Sequence, residues 1–149
     1  MKIKRLIQLF FMHLSHLPMK SKGVRSLIVK YAGVNIPYPK ETFVGEHVIF
    51  DTNYPDFITL ERGVRVTTGC VILTHFLNPQ TNQYVKGKVT IKEGAYIGCN
   101  TVICKPVTIG ERSVIGACSV VTKDIPPGEL WVGNPARFLK KIDTYKKES

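Results

Sequence analysis

The side chains of this 149-residue chain with ordinary pKa values nearest neutrality are those of His13, His16, His47 and His75, and of Cys70, Cys99, Cys104 and Cys118. No two cysteines form a C-x-x-C pair and no histidine cluster lies near them. Neither a zinc site nor a disulfide framework is indicated, and the thiols read as small core or coil residues in a reducing compartment. A lone imidazole remains useful. In its neutral form it accepts a proton from a hydroxyl near pH 7, a service typically worth roughly a hundred- to ten-thousandfold in rate. His13 and His16 lie in the N-terminal segment, His47 comes early, and none follows His75. Asp51, in Phe50-Asp51-Thr52-Asn53-Tyr54-Pro55-Asp56, has two readings: it orients an imidazole or binds a hydroxyl, or it makes an Asx-turn. Asp56 is a weaker candidate, and Lys86 and Lys88 read as solvated.

The elements that must position these groups show in a repeat. Ile91, Ile97, Ile103, Ile109, Ile115 and Val121 recur at every sixth residue, a spacing that neither a helix nor an alternating strand produces. Val89-Thr90-Ile91 with Tyr96-Ile97-Gly98 is echoed by Val107-Thr108-Ile109 with Val114-Ile115-Gly116, and Ile58-Thr59-Leu60 opens the same pattern earlier. A six-residue period suits three short strands per turn of a parallel β-helix. The aliphatic points inward, and a small residue (Gly98, Gly110, Gly116) sits at a corner where a Cβ would crowd. The phase slips between Ile72 and Ile91, which predicts a protruding loop over 76–88. Upstream, Ile3 to Tyr31 reads as one or two amphipathic helices broken at Pro18 and Gly23. Downstream, Pro126-Pro127-Gly128 is expected to end the coil. A tail over 126–149 follows, with Trp131 capping the open end more readily than stacking on a planar ligand, and with a short basic helix at its close.

The run Ile115-Gly116-Ala117-Cys118-Ser119-Val120-Val121-Thr122-Lys123-Asp124-Ile125-Pro126, followed by Gly133-Asn134-Pro135-Ala136-Arg137, resembles the hexapeptide-repeat acyltransferases. Within them it is most similar to the sugar O-acetyltransferases of the maltose and galactoside group and to short enzymes acetylating surface polysaccharides. The similarity covers about residues 41 to 142. It implies an all-β fold, a left-handed parallel β-helix with a short N-terminal helical segment (1–40), a 41–149 acyltransferase domain and a C-terminal tail. It implies acetyl-CoA as co-substrate, a saccharide acceptor, and a homotrimer with sites between subunits. His75, ending Ile72-Leu73-Thr74-His75, takes the place of the family's catalytic base. Cys99, Ala117, Thr122, Lys123, Arg137 and Lys140 take the places of residues contacting the CoA. Cys99 departs from the usual Ser, and Lys140 replaces a common Arg, keeping the charge and losing the bidentate fork. A gamma-type carbonic anhydrase on the same prism would need further histidines beyond His75, so no metal is expected. An N-acyltransferase acting on an amine, and a silent β-helix scaffold, are the competing readings.

The charge is uneven. Residues 1–40 hold eight Lys or Arg and no acid, and the remainder hold thirteen bases against eleven acids. No nucleic-acid motif accompanies the basic block. A helix packed on the prism or a neighbouring subunit is the first reading, and peripheral contact with an anionic membrane surface the second. The apolar run near the start is too short to span a bilayer and is interrupted by Gln8, His13, Ser15 and His16, so a cytoplasmic protein is expected, with peripheral placement at the inner membrane face left open.

Overall fold

A computed structural model describes residues 3–18 and 23–142. The sixth-position aliphatics decide its architecture: Ile91, Ile97, Ile103, Ile109, Ile115 and Val121 are all fully buried. The strands that carry the coil are β1 (Phe43–Val44), β2 (Ile49–Phe50), β3 (Ile58–Leu60), β4 (Arg65–Val66) and β5 (Val71–Ile72). After a hairpin, β6 (His75–Asn78) and β7 (Gln83–Lys86), the coil resumes with β8 (Val89–Ile91), β9 (Tyr96–Ile97) and β10 (Val102–Ile103). It continues through β11 (Thr108–Ile109), β12 (Val114–Ile115), β13 (Val120–Val121) and β14 (Glu129–Val132), before β15 (Arg137–Lys141). Successive coil strands go in rotation to three sheets: β1-β4-β9-β12-β14, β2-β5-β10-β13 and β3-β8-β11. All pairs within these three series are parallel. The result is a three-faced coil of parallel strands with an aliphatic interior.

Register follows the repeat. Val102 pairs with Val120, eighteen residues on, while Ile58 pairs with Val89, thirty-one residues on, because the hairpin intervenes. Ile49 pairs with Val71 across twenty-two residues, the excess lying in the Asp51–Phe57 segment with its 3-10 turn. Corners demand small residues where coils touch. A Cβ on Gly98 would stand 2.5 Å from the Ala117 backbone nitrogen, a separation that close packing forbids.

The hairpin replaces the expected loop over 76–88. Its strands are antiparallel, His75 facing Lys86 and Asn78 facing Gln83, and Asn82 supplies the left-handed residue in the turn with φ of 52°. The Gly87 N–H donates to the Thr74 carbonyl at 2.9 Å, pinching the base shut.

Two further expectations are corrected at the C-terminus. The coil does not end at Pro126-Pro127-Gly128, since β14 continues the first sheet and pairs with β12. Instead of a short basic helix, β15 folds back antiparallel on β14. The physical reason is the open strand edge that a terminated coil presents, which the last segment covers. Trp131 is buried over the end of the interior, its indole N–H donating to Glu129 Oε2 at 2.8 Å and its ring meeting the edge of Phe138. The last residues of the expected tail, 143–149, lie outside the described residues.

At the other end, α1 (Ile3–Leu14) and α2 (Val24–Tyr31) dock on the first coil. Buried Arg25 donates Nε to the Ser15 carbonyl at 2.9 Å, one terminal nitrogen to Leu17 O at 3.2 Å and the other to Val44 O at 3.3 Å. One guanidinium thus satisfies carbonyls left over at the end of α1 and ties them to β1. Pairing of the coil extends upstream to Asn35, which bridges Thr59.

Candidate active site

β2 and β5 are neighbours on one face, and each delivers a polar residue to the same edge as it leaves that face. Asp51 follows β2, its N–H bound to the Ile72 carbonyl at 2.9 Å. Thr74 and His75 follow β5. The Asp51 side chain is only 3% exposed yet accepts at both oxygens. Oδ1 takes the N–H of Asn53 at 2.9 Å and of Tyr54 at 3.3 Å, which is an Asx-turn. Oδ2 takes the Thr74 N–H at 3.0 Å and hydroxyl at 2.6 Å, and lies 2.5 Å from His75 Nδ1. Asp51 thus makes an Asx-turn at one oxygen and meets the imidazole at the other.

Burial pushes the Asp51 carboxyl up, but the Thr74 hydroxyl and N–H, the His75 ring and the Asn53 N–H outweigh it and hold the group below its ordinary range. An ionised carboxylate can only accept, so the contact requires the proton on Nδ1 of His75. That leaves Nε2 of a neutral ring with its lone pair. The ring is partly exposed and walled by two tyrosines: Tyr54 edge-on at 5.7 Å and Tyr84, from β7, inclined by 30° at 6.0 Å. Lys86, exposed as expected, also sits over the Tyr54 ring at 4.9 Å in a cation–π contact. The arrangement is an imidazole held in one tautomer beside an aromatic wall.

The other candidates do not converge on His75 within one chain. Thr122 and Lys123 leave β13 at the same edge as His75, Ile72 and Val121 being paired through Ile103. The Lys123 ammonium lies 4.9 Å from the centre of the Trp131 ring. Cys99 and Ala117 are exposed at the opposite edge of that face, where the Cys118 N–H meets the Cys99 carbonyl at 2.8 Å. Arg137 and Lys140 are exposed on β15, with an Arg137 N–H donated to Ala136 O at 3.1 Å. Asp56 lines a cavity of about 650 Å³ between α1 and the Asp51 turn, together with Lys4, Arg5 and Asn53. Another cavity, about 1000 Å³, is at a different edge around Arg65, Tyr96 and Arg112 and does not touch the His75 dyad.

Thr74, Tyr54 and Tyr84 were not legible as site residues. Thr74 has no sequence signal beyond adjacency to His75. Tyr84 reaches the ring only because the hairpin register returns it, and the turn-forming Asn78-Pro79 and Asn82 were the available hint. Among the described residues no three His, Cys, Asp or Glu gather as a metal site.

Residues 88–123 match the family of bacterial transferase hexapeptide proteins (six repeats). No curated protein matches the chain. Among solved structures, it is similar to a hexapeptide-repeat acetyltransferase from Vibrio cholerae, at 24% identity and TM-score 0.71 over 95% of this chain and 92% of that one; that protein has also been solved with acetyl coenzyme A. It is similar to a maltose O-acetyltransferase from Clostridium difficile 630, at 25% identity and TM-score 0.61 over 95% and 87%. A galactoside acetyltransferase in complex with coenzyme A gives 24% identity and TM-score 0.64 over 97% and 86%.

Proposed function

We propose that the chain is an acetyl-CoA-dependent O-acetyltransferase acting on a sugar hydroxyl, in surface polysaccharide synthesis, with His75 as general base. The observation that carries this reading is the 2.5 Å contact between His75 Nδ1 and a buried, ionised Asp51. Nε2 takes the proton of the acceptor hydroxyl as its oxygen attacks the thioester carbonyl carbon. The tetrahedral intermediate collapses with cleavage of the C–S bond. The proton on Nε2 then passes to the departing thiolate, giving the acetyl ester and free CoA. A backbone N–H would serve the oxyanion, and no acyl-enzyme or metal is needed. Tyr54 and Tyr84 supply apolar ring faces beside the base of the kind that sugar C–H groups stack on.

Cys99, Ala117, Thr122, Lys123, Arg137 and Lys140 form the proposed CoA contacts. Their placement on two edges and an end of the prism supports a site completed by a neighbouring subunit, in a homotrimer of left-handed coils acting in the cytoplasm. Cations suit the pyrophosphate and 3′-phosphate of CoA.

A coupled thiol-release assay with acetyl-CoA and a panel of sugars, amino sugars and amines tests the reading. Release with a neutral sugar supports it, release with amines alone replaces the acceptor, and none with any acceptor leaves a scaffold. His75→Ala should lower turnover at least about a hundredfold with acetyl-CoA affinity nearly unchanged.

A further inference from the structure

Helix α1 carries an apolar stripe on the side that does not cover its own domain. The side packed on the protein carries Gln8, half-buried Phe11 and buried Met12, with buried Ser15 just past its end. The outward side carries Ile3, Leu6, Ile7 and Phe10, at the i, i+3, i+4, i+7 spacing of one helix face, with Ile3 76% and Phe10 63% exposed. α2 repeats the pattern: Arg25, Ser26 and Val29 are buried while Val24, Leu27 and Tyr31 are exposed beside Lys30. The two stripes are joined through half-buried Phe11, whose ring lies 5.6 Å from that of Phe10 and 5.5 Å from that of Tyr31. A contiguous apolar patch of this kind marks an interaction surface.

We propose that this N-terminal face seats the protein on an anionic lipid surface, with α1 lying in the interfacial plane. Charge selects this occupant. Residues 1–40 carry eight Lys or Arg and no acid; with Arg25 buried and bound to backbone carbonyls, the other seven give the combination of apolar stripe and acid-free basic flank that interfacial helices present to anionic headgroups. A second copy of the same face would set two such basic segments against each other. The rest of the chain, with thirteen bases and eleven acids, offers no acidic excess to offset them. Among the described residues no helix is long and apolar enough to cross a membrane, so α1 lies on the surface.

The seat is coupled to the candidate active site. Arg5 donates to the Asn53 side-chain oxygen at 3.1 Å, and the Asn53 N–H donates to Asp51 at 2.9 Å. An acceptor anchored in the lipid would meet the dyad from the helix side. That consequence rests on the acetyl-transfer reading, whereas the lipid seat does not.

The test is flotation of the full chain through a density gradient with phosphatidylcholine vesicles and with mixed phosphatidylcholine–phosphatidylglycerol vesicles. The expected result is flotation with the anionic vesicles, diminished by salt. Replacing Leu6→Ser together with Phe10→Ser should reduce partitioning about tenfold or more, because both side chains would lose apolar burial in the lipid. The thermal midpoint of that variant should stay near the parent's, because both side chains are exposed in the folded protein. Absence of flotation with anionic vesicles, or equal flotation of parent and variant, overturns the proposal. So does a fall in the variant's oligomeric mass by light scattering without flotation of the parent, which would make the stripe a contact between copies. The vesicles carry neither acetyl-CoA nor sugar, so the outcome is independent of whether the acetyl-transfer reading stands.

Discussion

Thr74 donates its backbone N–H and its hydroxyl to one oxygen of Asp51, at 3.0 and 2.6 Å, and that same oxygen faces His75 Nδ1. Three contacts at one atom fix the carboxylate in a single orientation and leave the imidazole little choice of tautomer.

Asp51→Asn should therefore impair the base without removing it. With its amide nitrogen toward Nδ1, the introduced asparagine forces the lone pair to that ring nitrogen and the proton to Nε2, where a hydroxyl acceptor needs the lone pair, and the Thr74 N–H loses its acceptor. Turnover should fall on the order of a hundredfold or more with the KM for acetyl-CoA nearly unmoved. Nitrogen NMR of the imidazole should report the exchanged tautomer.

The same carboxyl sets a pH dependence of stability. Its folded pKa is depressed, so its contribution is fully present above the ordinary carboxylate range and is lost as pH falls through the folded value. The gap in thermal midpoint between the parent and Asp51→Asn should be constant from neutral to mildly acidic pH and close in strong acid. A gap that widened on acidification would contradict the depressed pKa.

Much of the fold was written in the aliphatic period, because an inward position that stacks on its counterpart one coil away must repeat at the coil length. The echo of Val89-Thr90-Ile91 in Val107-Thr108-Ile109 is an observed register pair, Thr90 with Thr108. What the period could not reach lies where the chain leaves it. The hairpin and β15 are set by antiparallel pairing to edges that exist only once the coil has formed. The handedness of the coil entered through resemblance alone. At the site, His75 stood out by its place before the phase slip, whereas the convergence of Asp51, Thr74 and Tyr84 depends on one corner and one hairpin register that spacing does not encode.

Lys123 and Arg137 are proposed to hold phosphates of CoA, so neutralising either should raise the KM for acetyl-CoA more than it lowers kcat, each by roughly 1 to 3 kcal/mol. With a dephospho-CoA thioester, whichever residue binds the 3′-phosphate should matter much less. Lys123 also rests over Trp131, the single tryptophan. Drawing it toward a phosphate should alter indole fluorescence on CoA titration, and Lys123→Ala should suppress that change. Unaltered acetyl-CoA binding by both variants in calorimetry would place the donor elsewhere.

Gly98→Ala tests the corner packing. The added methyl meets the Ala117 backbone and has no flexible side chain to displace, so stability should fall by about 1 to 3 kcal/mol. The urea midpoint should drop with its slope retained.

The hydrogen bond from Gly87 to Thr74 closes the hairpin where it leaves the coil, which separates the fate of the tip from that of the prism. Beyond that pinch, residues can be exchanged or inserted without altering any coil register, and doubling the length of such a segment costs only about 0.6 kcal/mol in closure entropy. Tyr84 rides on this arm and His75 is its first residue, whereas Asp51 and Thr74 stay with the coil. The arm beyond the His75–Lys86 pair can thus be remodelled while the contacts of His75 with Asp51 are kept.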